Sequence, residues 1–189
     1  MLSFVRFAAL YFATCFTAIV SYAQKNYPPS EIEISYGTFP LPEVSGANKK
    51  LFVSKLYATD IDRTPGTGSF SFAYNHFLSQ RFAMGFTALF DKVTVSYKDV
   101  YSKLNWNVLA VLINAKYNYV YDPRFHMYSG LSLGYAGVWA KEADKKETNN
   151  NLAFQARVIG ARFGSTVGVF GELGFGYEGV VKAGLSLQF

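Results

Sequence analysis

The chain has 189 residues, with 18 Lys and Arg against 13 Asp and Glu and a formal net charge of +5. Half of it is hydrophobic and 18% is aromatic, yet beyond residue 23 no uncharged apolar run reaches the length of a membrane helix. The basic residues are scattered, which excludes a nucleic-acid footprint, and the single cysteine, Cys15, provides for neither a disulfide nor a cysteine metal site.

Residues 1–23 read as a cleaved signal peptide. Arg6 is the only charge before an apolar run, and Ser21-Tyr22-Ala23 places small residues where a signal peptidase reads. Cleavage after Ala23 removes Cys15 and Arg6, leaving residues 24–189 as one domain of net charge +4. A membrane anchor is a poorer reading, because Thr14, Thr17 and Ser21 interrupt the run. Acylation of Cys15 is poorer too, since the apolar run continues past it.

The remainder reads as a succession of strands with side chains alternating between two faces. In the first, Glu31 to Phe39, Ile32, Ile34 and Tyr36 oppose Glu31, Glu33, Ser35 and Gly37. Residues 40–68 form a long excursion, and the spacing of Val53, Leu56 and Tyr57 predicts a helical turn within Ala47 to Tyr57. Phe70, Phe72 and Tyr74 then oppose Ser69, Ser71, Ala73 and Asn75. After a turn at Leu78 to Arg81, Phe82, Met84, Phe86, Ala88 and Phe90 form one face of the third strand. Val93, Val95 and Tyr97 fall out of step with that face, which predicts a bulge near Asp91.

Lys98 to Leu104 reads as a loop. In the fourth strand, Asn105 to Tyr121, Ile113, Ala115, Tyr117 and Tyr119 oppose Asn114, Lys116 and Asn118. Its start, Val108 to Leu112, is apolar on both faces, so its phase stays open. Asp122-Pro123-Arg124 makes a turn. Leu131, Leu133, Tyr135 and Trp139 then oppose Gly130, Ser132, Gly134 and Ala136, and Lys141 to Asn150 reads as a charged, Asn-rich loop. Leu152, Phe154, Ala156 and Val158 face away from Gln155 and Arg157. Gly164-Ser165 is a two-residue hairpin signal, which sets Arg157 opposite Glu172 by counting back from the turn. The seventh strand sets Val169, Leu173, Phe175 and Tyr177 against Glu172, Gly174 and Gly176, and its glycines make no nucleotide fingerprint because no helix follows. The closing strand is the cleanest: Val181, Ala183, Leu185, Leu187 and Phe189 alternate with Lys182, Gly184, Ser186 and Gln188.

Eight strands joined as hairpins predict an all-β fold, an antiparallel up-and-down barrel. The polar faces are mostly Gly, Ala, Ser and Asn, where a solvated exterior would carry several Lys or Glu per strand. Small residues suit a narrow lumen, so the apolar faces are read as facing lipid and the barrel as transmembrane. Two aromatic girdles fit that reading: Phe77, Phe82, Tyr119, Tyr121, Phe125 and Phe189 at the short-turn end, and Tyr97, Trp106, Trp139 and Tyr177 at the loop end. A soluble lipocalin-like barrel is the weaker alternative.

The strand–turn–strand over residues 68–86 and the closing segment over residues 162–181 resemble the small porin-family outer-membrane β-barrel domain. The resemblance implies location in a Gram-negative cell outer membrane, with outer-membrane lipid and the barrel-assembly machinery as partners. It implies no particular activity. It also marks Lys182, Gly184, Leu187 and Phe189 as an assembly signal, although such barrels usually carry an aromatic where this chain has Leu187.

Chemistry is sparse. His76 and His126 both fall next to short turns, whereas barrel enzymes acting on outer-leaflet lipid need a His with Ser or Asp at the other end. Ser79 reads as a turn residue. No metal spacing or cofactor motif is legible. Inward charges remain, Glu33, Lys116, Arg157, Glu172 and Lys182, and a narrow lumen demands that they pair. The sequence thus points to a non-enzymatic scaffold or surface-binding barrel with a plugged polar lumen, its extracellular ligand met by the first and third outer loops. The alternatives are a narrow pore for small solutes and, third, a lipid-modifying enzyme.

Overall fold

A computed structural model describes residues 28–43, 61–63, 66–97, 103–142 and 145–189. They build a single sheet closed on itself. In chain order its strands are β1 (Ser30–Thr38), β2 (Ile61–Arg63), β3 (Gly66–Phe77), β4 (Phe82–Tyr97), β5 (Lys103–Asp122), β6 (Phe125–Glu142), β7 (Lys145–Phe163), β8 (Val167–Gly176) and β9 (Val181–Gln188). Each long strand pairs antiparallel with its chain neighbours, and β1 meets β9 from Glu31↔Gln188 to Thr38↔Val181 to close the ring. β2 pairs with β4 beyond an irregularity in β3, so it prolongs the place of β3 in the wall. The fold is an eight-stranded up-and-down antiparallel barrel, as the alternation predicts.

Period-two alternation sorts the side chains. Ile34, Ile113, Leu131, Tyr135 and Val158 stand outside at 63% to 72% exposure, while Glu33, Lys116, Arg157 and Glu172 are inside at 4% or less. The open phase of β5 is settled by pairing: Val108, Ala110 and Leu112 turn inward, Leu109 and Val111 outward.

The register departs from the sequence reading in four places. First, β4 keeps its phase past Asp91, and Asp91 and Val93 are both buried. The irregularity at that level lies on the neighbouring strand, between Gly66 and Ser69 of β3. Val93 looked out of step because the lumen is apolar at this end, so an apolar residue there does not mark the outward face. Second, residues 141–150 are not an open loop. β6 and β7 continue as a hairpin through Trp139↔Thr148 and Glu142↔Lys145, carrying the Asn-rich segment in pairing. β8 ends at Gly176, opposite Gln155, so this hairpin rises beyond the β8–β9 side of the wall.

Third, β7 carries a bulge at Val158 and Ile159. Gly130↔Arg157 is followed by Tyr128↔Gly160 on one side, and Arg157↔Gly174 by Ile159↔Leu173 on the other. Val158 and Ile159 are both exposed, and inward positions change from 153, 155 and 157 to 160 and 162. Ser129 Oγ donates to Val158 O at 2.6 Å, which satisfies a carbonyl freed by the bulge. The β7–β8 turn is also wider than a two-residue hairpin, with Phe163 opposite Val169. Arg162 holds it open by donating to the carbonyls of Gly164 at 2.5 Å and Ser165 at 2.7 Å. Arg157 therefore lies opposite Gly174, and Glu172 opposite Gly160.

Fourth, three residues read as girdle aromatics turn inward: Phe77 is 2% exposed, Trp106 0% and Tyr177 1%. Tyr119 and Phe189 remain outside, and Phe82, Tyr121, Phe125 and Trp139 are half-buried. The Tyr97 side chain lies outside those described, as do residues 1–23, read from sequence as a signal peptide, and residues 47–57, read as a helical turn. The excursion after β1 opens with a 3-10 turn at Leu41–Glu43, and β5 begins at Lys103, inside the stretch read as a loop.

Candidate functional site

The lumen is filled in three layers. At the short-turn end, Lys116 of β5 reaches between two carboxylates of β1, pairing with Glu31 and with Glu33 Oε1 at 2.7 Å. Asn75 Nδ2 donates to Glu33 Oε1 at 3.2 Å, Gln188 Nε2 donates to Glu31 Oε1 at 3.1 Å, and Arg162 Nε lies 3.2 Å from that same oxygen. Asn114 extends the layer, donating to Thr87 Oγ1 at 2.8 Å and to Asn75 Oδ1 at 3.4 Å. Two cations meet two anions here, so the layer is neutral.

The middle layer repeats that balance. Arg157 Nη2 donates to Glu178 Oε1 at 2.9 Å, and Arg157 Nε is in ionic contact with Glu172 Oε2 at 3.3 Å without a directed hydrogen bond. Lys182 Nζ bridges Glu172 Oε2 at 2.7 Å and Glu178 Oε2 at 2.5 Å. Gln155 fixes the strand end that carries Glu178, accepting from the Glu178 N–H at 2.9 Å and donating to Gly179 O at 3.0 Å. Tyr128 links the layers: its OH donates to Glu172 Oε1 at 2.8 Å, and Lys116 Nζ sits 4.7 Å from its ring centroid. All eight charged groups are buried. Such charges are tolerable because each is paired with an opposite charge, and Arg157 Nε and Glu172 Oε2 are met by ionic contact alone.

The loop end of the lumen is apolar. Leu89, Val93, Trp106, Val108, Ala110, Leu112, Ala136, Val138, Ala153 and Tyr177 form a buried cluster, with Leu41 packed against it. The expected polar lumen is thus confined to the two charged layers.

The five inward charges read from sequence fall in two groups, Glu33 with Lys116 and Arg157 with Glu172 and Lys182. Glu31, Arg162 and Glu178 complete them. Glu31 was legible as inward by alternation. Arg162 needed the bulge, and Glu178 needed Gly176, whose φ of +144° ends β8 so that Tyr177 and Glu178 both turn inside. The closing strand places Lys182 inside and Leu187 and Phe189 outside; Phe189 forms the seam with Ser30, its N–H donating to Ser30 O at 3.0 Å.

His76 lies outside this network, whereas His126 is buried opposite Arg162. His76 Nδ1 lies 3.4 Å from Ser30 Oγ, and His126 stacks on Tyr121 with centroids 4.4 Å apart. Ser79 Oγ accepts the Phe82 N–H at 3.0 Å, a turn bond. Among the described residues no group of three or more His, Cys, Asp or Glu is arranged to hold a metal.

A solved structure, the crystal structure of the N-terminal β-barrel domain of Pseudomonas aeruginosa OprF, is similar to this chain over 87% of its length and 100% of that chain, at 11% identity and a TM-score of 0.46. No protein-family model and no curated protein match the chain.

Proposed function

We propose that this chain is a non-enzymatic outer-membrane barrel, a scaffold that holds a binding surface at its loop end while its lumen is plugged. The observation that carries the reading is the inversion of polarity: exposed Ile, Leu, Val, Tyr and Phe ring the outside, and paired charges fill the inside. Closure by β1 and β9 leaves no open sheet edge within the ring, as hydrocarbon requires. An exposed apolar band on this scale suits lipid and not water. The loop end then faces outward, with the β6–β7 hairpin and the segment after Thr38 as the surfaces offered to a ligand.

The packed lumen supports the scaffold over a solute pore. Two neutral ion layers and an apolar cluster succeed one another along the axis. Both histidines lie by short turns, away from the outer leaflet, which supports a role without lipid chemistry. The closing strand with Phe189 is the segment offered to the assembly machinery.

The test has two parts. Expressed with its leader in a Gram-negative host, the protein should fractionate with the outer membrane and migrate differently on gels before and after heating. Refolded into planar bilayers, it should add no stepwise conductance; regular steps would replace the scaffold by the pore. Cross-linking on intact cells through residues of the β6–β7 hairpin then identifies the bound partner.

A further inference from the structure

A depression of about 450 Å³ opens on the outside of the wall, across β4, β5, β6 and β7. Phe82, Tyr117, Leu131 and Val158 stand around it. The space between them exists because the outward residues beside them are small: Ala115, Ser129 and Ala156. Pairing brings those three together. Ala115 and Ala156 flank Leu131, while Ser129 is level with Tyr117 and meets β7 at its bulge, where the β6–β7 register shifts. Ser129 Oγ donates to Val158 O at 2.6 Å, so its hydroxyl is turned to the backbone and the surface of the depression is mainly apolar.

The groove does not stay at one depth. Phe82 is the first residue of β4, directly at the β3–β4 turn, whereas Tyr117 lies five residues inside the end of β5 at Asp122 and Val158 five residues inside the end of β7 at Phe163. One end therefore opens at the short-turn rim and the other lies within the exposed apolar band. From β4 to β7 the groove crosses three strand spacings, roughly 14 Å. Its volume falls in the range of small-molecule sites, about 300–1,000 Å³. That shape suits an amphiphile with its polar head at the rim and one apolar chain along the wall.

Arg81 marks the rim end. It is exposed, it directly precedes Phe82, and its carbonyl accepts the Asn118 N–H at 2.7 Å, which holds it beside Tyr117. Asn118 Nδ2 also donates to Gln80 O at 3.2 Å, so the turn is fixed over this end of the groove. The ion pairs among the described residues do not include Arg81, and residues 78–81, Leu-Ser-Gln-Arg, carry no acid. At the tip of the neighbouring β5–β6 turn, Asp122 and Arg124 offset each other in charge, and the Arg124 N–H donates to Asp122 Oδ1 at 3.0 Å. An exposed guanidinium meets phosphate oxygens with paired N–H donors, and outward Tyr117 and Tyr119 suit the same interfacial level. We propose that the groove binds one phospholipid, an acyl chain lying along Ala115, Ser129 and Ala156 and the phosphate held by Arg81. The inference rests on the reading of the exterior as lipid-facing and adds a specific site to it.

The barrel, purified from the membrane in a phosphate-free detergent, is titrated with dimyristoyl phosphatidylglycerol and followed by native mass spectrometry. One lipid per barrel should stay bound after the others are stripped. Arg81→Gln removes the phosphate partner and Ala156→Phe fills the groove, and each should weaken that binding roughly tenfold or more. Ala183→Phe, outward on β9 at the far side of the ring, should leave it unchanged. Heat-dependent gel migration reports that each variant has folded, and Ala115→Leu makes the same test should Ala156→Phe not fold. With a nitroxide on the acyl chain, the methyl resonances of Leu131 and Val158 should broaden more than those of Ile34 and Leu185, which pair across the opposite seam. Equal affinity in all variants, broadening spread evenly around the wall, or dimers in place of the one-lipid adduct would each overturn the site. A chain that stays out of the membrane overturns the lipid-facing reading as well, whereas a membrane-borne barrel that binds lipid evenly overturns the site alone.

Discussion

Arg157 shows how a single residue ties parts of the barrel wall together. It meets Glu178 through a directed 2.9 Å bond and Glu172 through a 3.3 Å contact, so the two carboxylates are not equivalent partners. Losing either carboxylate leaves positive charge short of its counter-ions in a dry layer, which should cost roughly 3–5 kcal/mol. In double-mutant cycles by urea unfolding, Arg157→Met with Glu178→Gln should couple more strongly than Arg157→Met with Glu172→Gln. A coupling below about 0.5 kcal/mol for both pairs, within additivity error, would mean that the layer is hydrated. Tyr128 gives a second check. Tyr128→Phe deletes the 2.8 Å donor to Glu172 but keeps the ring beside Lys116, so the loss should be about 1.5–3 kcal/mol, the worth of a hydrogen bond to a charged group.

At the scale of elements, the β7 bulge decides which way Arg162 points. Val158 and Ile159 together occupy what would otherwise be one outward position, and Arg162 then turns inside to meet Glu31 and Ser186 Oγ. Deleting Ile159 removes only the extra outward residue and leaves Arg162 inside, whereas inserting one alanine between Gly160 and Ala161 shifts the alternation by one residue and drives Arg162 out of the lumen. The turn would also lose the guanidinium that binds Gly164 O and Ser165 O. The expected outcome is a large fall in heat-modifiable barrel in the membrane fraction, with Ile159→Val as the tolerated control. The closing strand is the other decisive element. Phe189 is 56% exposed and bonded to Ser30 across the seam. Phe189→Asp should lower the amount of assembled barrel; normal membrane levels would dismiss the assembly role of the terminal aromatic.

For the whole molecule, export and packing are linked. The chain that reaches the membrane should begin at Gln24, and an intact mass that still includes Arg6 would reject cleavage after Ala23. Once folded, the barrel is held from inside by two kinds of material, ion layers and an apolar cluster. Leu112, a 0% exposed member of that cluster, tests the second kind: Leu112→Ala should cost about 2–5 kcal/mol by unfolding, as for a packed core leucine.

Much of this was determined by the sequence itself. Alternation fixes the two faces wherever one is apolar and the other polar, so the outward sides of Ile34, Phe72, Ile113, Leu131 and Leu185 and the inward sides of Glu33, Lys116 and Lys182 were legible residue by residue. The same rule loses its information where both faces are apolar, as in residues 108–112. There, hydrogen-bonded register with β4 and β6 set the phase. Register was likewise out of reach of local counting at the β7–β8 hairpin. One inserted residue at 158–159 and a turn held wide by Arg162 change every pairing, yet Arg157 still reaches Glu172 because long side chains span a diagonal. The inward turn of Trp106 is set by its pairing with Val93 and Ala140, and the burial of Tyr177 and Glu178 by the turn at Gly176, neither of which local alternation counts. A residue's face is a local property of the strand, whereas its partner is set by the tertiary register of the closed sheet.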